Sequence, residues 1–222
     1  EQMVQAKVVR EQLLSYVSHE LKTPVTSILG YMVALRDNTL ASHGEREAAL
    51  DIVINKTLTL ESLIQDLFQL SKLETKQFSF KFDMISVKEV TEELIKDYSM
   101  DVTKADMKLI ISKDLKEHGN ELLIADTKRV GQVFNNILVN AMRYSKKGDT
   151  IKIKFFVNQQ NMYGFSISDE GRGIPRDEMD HIFDRFFKGA NEGNKSGGSN
   201  TGLGLTICKE IVEAHQGTIA AK

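Results

Sequence analysis

Near the start of the chain an apolar residue recurs every seven positions, at Leu14, Leu21, Ile28 and Leu35. That narrow stripe limits what the chain can build. It predicts one long helix over about residues 5–37. A second run, Leu50, Val53, Leu60, Ile64 and Leu67, predicts a partner helix over about 45–74, with the turn between Asp37 and Gly44. Two helices with one narrow seam each cannot enclose a core. The expected solution is two copies of the hairpin in a four-helix bundle, a homodimer closed through Leu14, Leu21, Leu60 and Leu67. Pro24 lies inside the first helix, removes the backbone bond to the carbonyl of Glu20, and is expected to bend the helix one turn past His19. His19 lies about 200° around the axis from both Val17 and Leu21, so it is predicted to face solvent.

The remaining two thirds of the chain read differently. Phe78, Phe80 and Phe82 alternate with polar residues, as a short strand or extended linker would. Helices follow over about 87–104, 126–145 and 206–215. The first of them is announced by a capping box, Ser86 with Glu89 three residues on. Leu109-Ile110-Ile111 and Leu122-Leu123-Ile124 read as strands, and Thr150 to Val157 with Tyr163 to Asp169 as a hairpin. Strands in a meander with helices between them predict a two-layer α/β sandwich. The expected division is therefore α+β: a helical hairpin over 1–75, a linker over 76–85, and a sandwich over 86–222. The run Asn191 to Asn200 is too polar to pack.

Composition narrows the partners. The 222 residues are 41% apolar and 27% charged with a net charge of −2, which supplies no general attraction to nucleic acid or an anionic membrane. Neither is expected as a partner. No apolar run approaches the ~20 residues that span a bilayer. Cys208 is the sole cysteine, so an internal disulfide and a thiolate metal cluster are both out of reach. Its expected role is that of a small buried apolar residue. The chain begins inside a helical pattern, as a piece of a longer protein would.

Three stretches carry chemistry. On the helix after Asp126, Val130, Val133, Phe134, Ile137 and Ala141 form an apolar face. Arg129, Gln132, Asn136, Asn140 and Arg143 form a polar one. Paired asparagines bring no helix propensity and no packing, whereas an amide oxygen is a competent hard ligand for magnesium. Asp169-Glu170-Gly171-Arg172-Gly173-Ile174-Pro175 follows a strand: its glycines let the backbone approach a flat ligand, and its aspartate can accept from an exocyclic amine such as adenine's. Thr201-Gly202-Leu203-Gly204-Leu205 precedes a helix and exposes backbone N–H groups suited to phosphate.

Together, and in this order, these elements resemble the catalytic core of a sensor histidine kinase from about Val9 to Ile219. His19-Glu20-Leu21-Lys22-Thr23-Pro24 is similar to that family's H box. Asn136 to Asn140 with Arg143-Tyr144-Ser145 is similar to its N box, and Asp169 to Gly173 to its first glycine box. Phe183-Asp184-Arg185-Phe186-Phe187-Lys188 is similar to its F box, and Gly202 to Leu205 to its second glycine box.

The resemblance implies a Bergerat-type ATP site, phosphoryl transfer from ATP to His19, and onward transfer to an aspartate of a response-regulator receiver domain. It implies that Asn140 holds magnesium, Asn136 lies near the phosphates and Asp169 binds the adenine amine. Tyr144 would pack near the base, Arg143 and Lys188 would meet the phosphates, and Gly171, Gly173, Ile174, Thr201, Gly202, Leu203, Gly204 and Leu205 would line the nucleotide. The loop from about Arg185 to Gly202 would be a lid. Glu20 would assist His19 by polarising its ring, and the Glu-x-x-Thr pattern of Glu20 and Thr23 implies that the enzyme also dephosphorylates its partner. A cytoplasmic location is implied too. Related ATPases of this fold place a glutamate where Asn136 stands, and an amide cannot activate water as that base does. Two departures are visible. Asn200 replaces a glycine that family members usually carry, which implies a different lid closure, and the segment from Gly217 to Lys222 does not supply the further strand the fold normally has. The alternatives are a nucleotide-gated pseudokinase or interaction module, and an ATP hydrolase of the same fold.

Overall fold

A computed structural model describes residues 2–74, 79–189 and 202–222. The chain divides into two compact units, whose described residues are 2–74 and, for the second, 79–189 with 202–222.

The first unit is the helical hairpin. Helix α1 runs from Gln2 to Arg36, unbroken at the buried Pro24, and α2 runs from His43 to Glu74 packed against it. Asn38 takes a positive φ of 52° in the turn. A capping box opens α2: the Ser42 hydroxyl accepts from the Glu45 N–H (3.1 Å), and the Glu45 carboxylate accepts from the Ser42 N–H (3.0 Å). Backbone N–H donation from Ser42, and then from Ala41, lowers the Glu45 carboxyl from its ordinary value. Ala49 and Leu63 are buried within the hairpin, and Leu21, Leu60 and Leu67 are half-buried. The side chain of Leu14 lies outside the described residues. A further apolar line stays exposed, with Val25, Leu29 and Met32 on α1 and Ile54, Leu58, Ile64 and Phe68 on α2.

The second unit is the α/β layer. Its elements are β1 (Asp83–Ser86), α3 (Val87–Lys104), β2 (Lys108–Asp114), a 3₁₀ turn (Lys116–Asn120), β3 (Leu122–Ala125), α4 (Thr127–Tyr144), β4 (Thr150–Val157), β5 (Tyr163–Ser168) and α5 (Gly204–Ala214). Ser86 and Glu89 form the expected capping box at the start of α3. The first arm of the β4–β5 hairpin alternates as its sequence dictates, Ile151, Ile153 and Phe155 buried and Lys152 and Lys154 exposed. Helix α4 lays Phe134 on that face. Its ring stacks on Phe155 at 6.0 Å and meets the edge of Phe165 at 5.1 Å, while Leu138, Ala141, Val90 and Leu94 complete the core.

The strands do not meander. Strand β2 pairs in parallel with β4 (Leu109 opposite Ile151), β4 pairs antiparallel with β5, and β3 turns back to pair with β1 (Ile124 opposite Met84). A parallel pair needs a crossover, and α4 supplies it. Of the alternating phenylalanines, Phe78 lies outside the described residues. Phe80 and Phe82 precede β1, outside any strand, and stack on each other at 5.6 Å.

Candidate functional site

On α1, the His19 side chain is 80% exposed and Glu20 only 22%, so the ring stands outward while its neighbour lies against the helix. Nδ1 of His19 is 3.7 Å from Oε1 of Glu20. A carboxylate on that side favours the hydrogen on Nδ1 and leaves Nε2 with the lone pair, facing solvent. The Thr23 hydroxyl, one turn on, donates to the His19 carbonyl at 3.3 Å. Pro24 has no N–H and so cannot make the helical bond to the Glu20 carbonyl.

In the second unit, α4 presents the predicted polar face. Asn136 and Asn140 are half-buried on it, with the exposed Arg143 one turn further. The two amides differ in use. Asn136 Nδ2 donates to the Gly204 carbonyl at 3.2 Å, so this side chain ties α4 to the start of α5. Behind it, burial pushes the Cys208 thiol up to about 12, which keeps it protonated and unreactive. Among the described residues no three His, Cys, Asp or Glu side chains are grouped to hold a metal. An amide such as that of Asn140, together with phosphate oxygens, is a donor set that suits magnesium.

The turn after β5 sits beside the C-terminal end of α4. Asp169 Oδ1 accepts from the Gly171 N–H at 2.8 Å, which fixes the carboxylate in an Asx turn. Gly171 is required by space: a Cβ there would lie 2.7 Å from both the Tyr144 carbonyl oxygen and Asp169 Oδ1. The turn and Tyr144 are thereby brought together. Gly173 has a positive φ of 70°, and Ile174 offers an exposed apolar side chain next to it. The guanidinium of Arg172 lies 4.8 Å over the Tyr144 ring, a contact missed in the sequence because the partners are 28 positions apart. Ser145 at the C-cap of α4 holds the one buried side-chain oxygen among the described residues with no hydrogen-bond partner.

The second glycine stretch leads into α5, whose N-cap residue Leu203 makes no side-chain cap; a helix N-terminus is a place suited to an anion. The Leu203 side chain is fully buried, leaving only its backbone to face a ligand, and Leu205 is half-buried. Gly202 combines a positive φ of 65° with no room for a Cβ, which would lie 2.6 Å from the Phe186 carbonyl carbon. The Phe186 N–H donates to the Gly202 carbonyl at 3.0 Å. This bond joins the chain before and after 190–201. The half-buried Lys188 lies two residues past Phe186. The Thr206 hydroxyl donates to the Phe183 carbonyl at 3.1 Å and anchors the segment before it on α5. Thr201, Asn200 and most of the expected lid lie outside the described residues.

Comparisons with known proteins agree with this arrangement. Residues 9–76 match the family model for the His Kinase A (phospho-acceptor) domain. Residues 125–222 match that for the histidine kinase-, DNA gyrase B- and HSP90-like ATPase. The chain is 32% identical over 213 residues to the sensor histidine kinase WalK of Bacillus subtilis (strain 168), covering 96% of this chain and 34% of that protein. It is 34% identical over 215 residues to a sensor protein kinase WalK of Staphylococcus aureus, covering 96% of this chain and 50% of that one. It thus spans a third to a half of these relatives. Among solved structures, the Acinetobacter baumannii histidine kinase AdeS superposes with a TM-score of 0.65 at 28% identity, over 88% of this chain and 86% of that one. The histidine kinase ThkA, solved with the response regulator TrrA, shares the fold at a TM-score of 0.72 and 22% identity, over 96% and 57%. With a phospho-acceptor domain followed by an ATPase-type domain, the chain belongs to the sensor histidine kinase family, as its catalytic core.

Proposed function

We propose that the chain takes the γ-phosphoryl group of ATP onto His19 and passes it to an aspartate of a response-regulator receiver domain. The observation that carries this reading is the exposed His19 beside Glu20 on a phospho-acceptor helix, in one chain with an adenine-type turn at Asp169. In the first step the lone pair of His19 Nε2 forms a bond to the γ-phosphorus. The bond from that phosphorus to the bridging oxygen breaks and ADP leaves with its electrons. The proton on Nδ1 moves toward Glu20. In the second step a receiver carboxylate oxygen bonds to the phosphorus, the P–N bond breaks, and the ring recovers its proton. A magnesium ion held by Asn140 would neutralise the phosphate oxygens. ThkA is solved with a response regulator, which supports a partner of that class here.

The division of labour is 1–75 for dimerisation and phosphoacceptance, 76–85 as linker, and 86–222 for ATP binding. It fits the cytoplasmic part of a longer sensor. Asn136 disfavours simple hydrolysis: its amide cannot act as a base, and it is engaged with Gly204. Incubation with labelled ATP, followed by acid and base treatment, tests the reading. Acid-labile, base-stable label is expected, and no label would leave the pseudokinase alternative.

Two further properties belong to this reading. The hairpin dimerises, because the apolar line of Leu29, Met32, Ile54, Leu58 and Phe68 stays exposed on the single copy. Sedimentation at micromolar concentration is expected to find dimers, and monomers would contradict it. The hairpin also removes phosphate from its partner through Thr23, whose hydroxyl can exchange its long 3.3 Å bond for a water aimed at a phosphoaspartate. Thr23→Ala is expected to lose dephosphorylation of purified phosphorylated regulator and to keep autophosphorylation. Equal loss of both would mean that Thr23 only shapes the helix.

A further inference from the structure

Among the described residues Asp126 is the one charged side chain that is buried, at 6% exposure. Capping α4 does not explain it. One oxygen suffices for a cap, and a serine does that work at Ser86 without a buried charge. Asp126 Oδ1 accepts from the Arg129 N–H at 3.1 Å, which is the cap. Oδ2 accepts from the backbone N–H of Lys81 at 2.9 Å, across 45 positions of sequence. The Asp126 N–H in turn donates to Nε2 of His215 at 3.0 Å, across 89 positions. Nδ1 of His215 lies 2.8 Å from the Ile211 carbonyl. A carbonyl can only accept, so Nδ1 carries the hydrogen and Nε2 the lone pair, and the ring is neutral with its tautomer fixed. Phe82 and Phe80 meet this ring edge-on at 4.9 and 5.8 Å.

Three segments are therefore joined at one point: residues 79–82, the start of α4, and the end of α5. Helix α4 carries Asn136 and Asn140, and α5 begins at the Gly202–Leu205 stretch. In chain order, residues 79–82 come after the helical hairpin. We propose that Asp126 and His215 form a clasp that holds 79–82 in register with the two nucleotide-bearing helices, and that both are positioning residues for transfer to His19 rather than for ATP binding. This rests on the kinase reading. Releasing 79–82 leaves the first held residue at Asp83, where β1 begins, so the tether gains four residues and loses its fixed direction. Transfer between tethered groups falls with tether length and with misplacement, here by roughly three- to hundredfold.

Two variants of the whole chain test this. Asp126→Ser keeps an N-cap but has no second oxygen for Lys81, and His215→Leu keeps apolar bulk without ring nitrogens. Both are measured for nucleotide affinity, for the rate of phosphorylation at saturating ATP, and for hydrogen exchange at the Lys81 amide. The expected result is a three- to hundredfold lower rate, nucleotide affinity within about twofold of the parent, and loss of Lys81 protection in Asp126→Ser. In the parent, ¹⁵N shifts of His215 should report a neutral ring with hydrogen on Nδ1. Full rate in both variants, or affinity falling in step with rate, would overturn the clasp, the second by making these residues merely structural. A parent that takes up no label overturns the kinase reading, and the positioning role with it.

Discussion

His19→Gln is expected to take up no phosphate from ATP and to bind the nucleotide as the parent does. The loss is complete because glutamine offers no ring nitrogen to form the P–N bond. The fold should survive, since glutamine is a good helix former and position 19 is on the solvent face. Nucleotide binding should survive too, because Asn140, Asp169 and the start of α5 all lie in the other unit. The other histidines are weaker acceptors for reasons visible in their contacts. His215 has both ring nitrogens engaged. His118 and His181 are hydrogen-bonded to carboxylates, Glu121 at 2.7 Å and Asp184 at 2.8 Å, and His43 lies 3.6 Å from Glu47. A carboxylate beside an exposed imidazole is thus common in this chain and does not single out His19. What singles it out is its place on the phospho-acceptor helix, with the ring directed away from both Val17 and Leu21. Mass spectrometry of the labelled parent should place the phosphate on the peptide containing His19. Label persisting on His19→Gln would move the assignment to His43, His118, His181 or His215, of which the first three meet their carboxylates through Nδ1 rather than Nε2.

What could be read in advance was local. The capping box at Ser86, the bounds of α3, and the alternation of β4 all depend on residues within one or two turns of each other, and the structure bears them out. Helix α2 begins at His43, within two residues of the start expected near Glu45, and the Ser42–Glu45 box opens it. Pairing of β2 with β4 was not legible, since the choice between a meander and a crossover lies in how α4 covers the sheet. The candidate site divides the same way. Which residues are available is written in the motifs, but how they are used depends on partners far away in the chain. Asn136 spends its donor on Gly204, 68 positions on, and Asp126 reaches Lys81 and His215 at once. A helix cap is all that the sequence around Asp126 announces.

Asp169→Asn is expected to weaken ATP binding by ~1–3 kcal/mol, roughly 5- to 150-fold, and to narrow the preference for ATP over GTP. The size of the two side chains is the same, so the effect depends on which way the new amide must face. Oδ1 of Asp169 already accepts from the Gly171 N–H at 2.8 Å. That donor is held by a turn with no freedom to retreat, because Gly171 lies against the Tyr144 carbonyl. An asparagine must therefore give its oxygen to Gly171 and turn its NH₂ outward. If Asp169 reads adenine, that NH₂ would meet the exocyclic amine of the base, donor against donor, in a contact that the bound base shields from water. Guanine presents a carbonyl at the corresponding ring position, so the same NH₂ becomes a partner for it. The two nucleotides should consequently move in opposite directions, and a purely structural change in the turn would weaken both alike. Titration of parent and variant with fluorescent ATP and GTP analogues separates these outcomes. Equal affinities in the two proteins would reduce Asp169 to a turn residue and detach the base from this edge of the site.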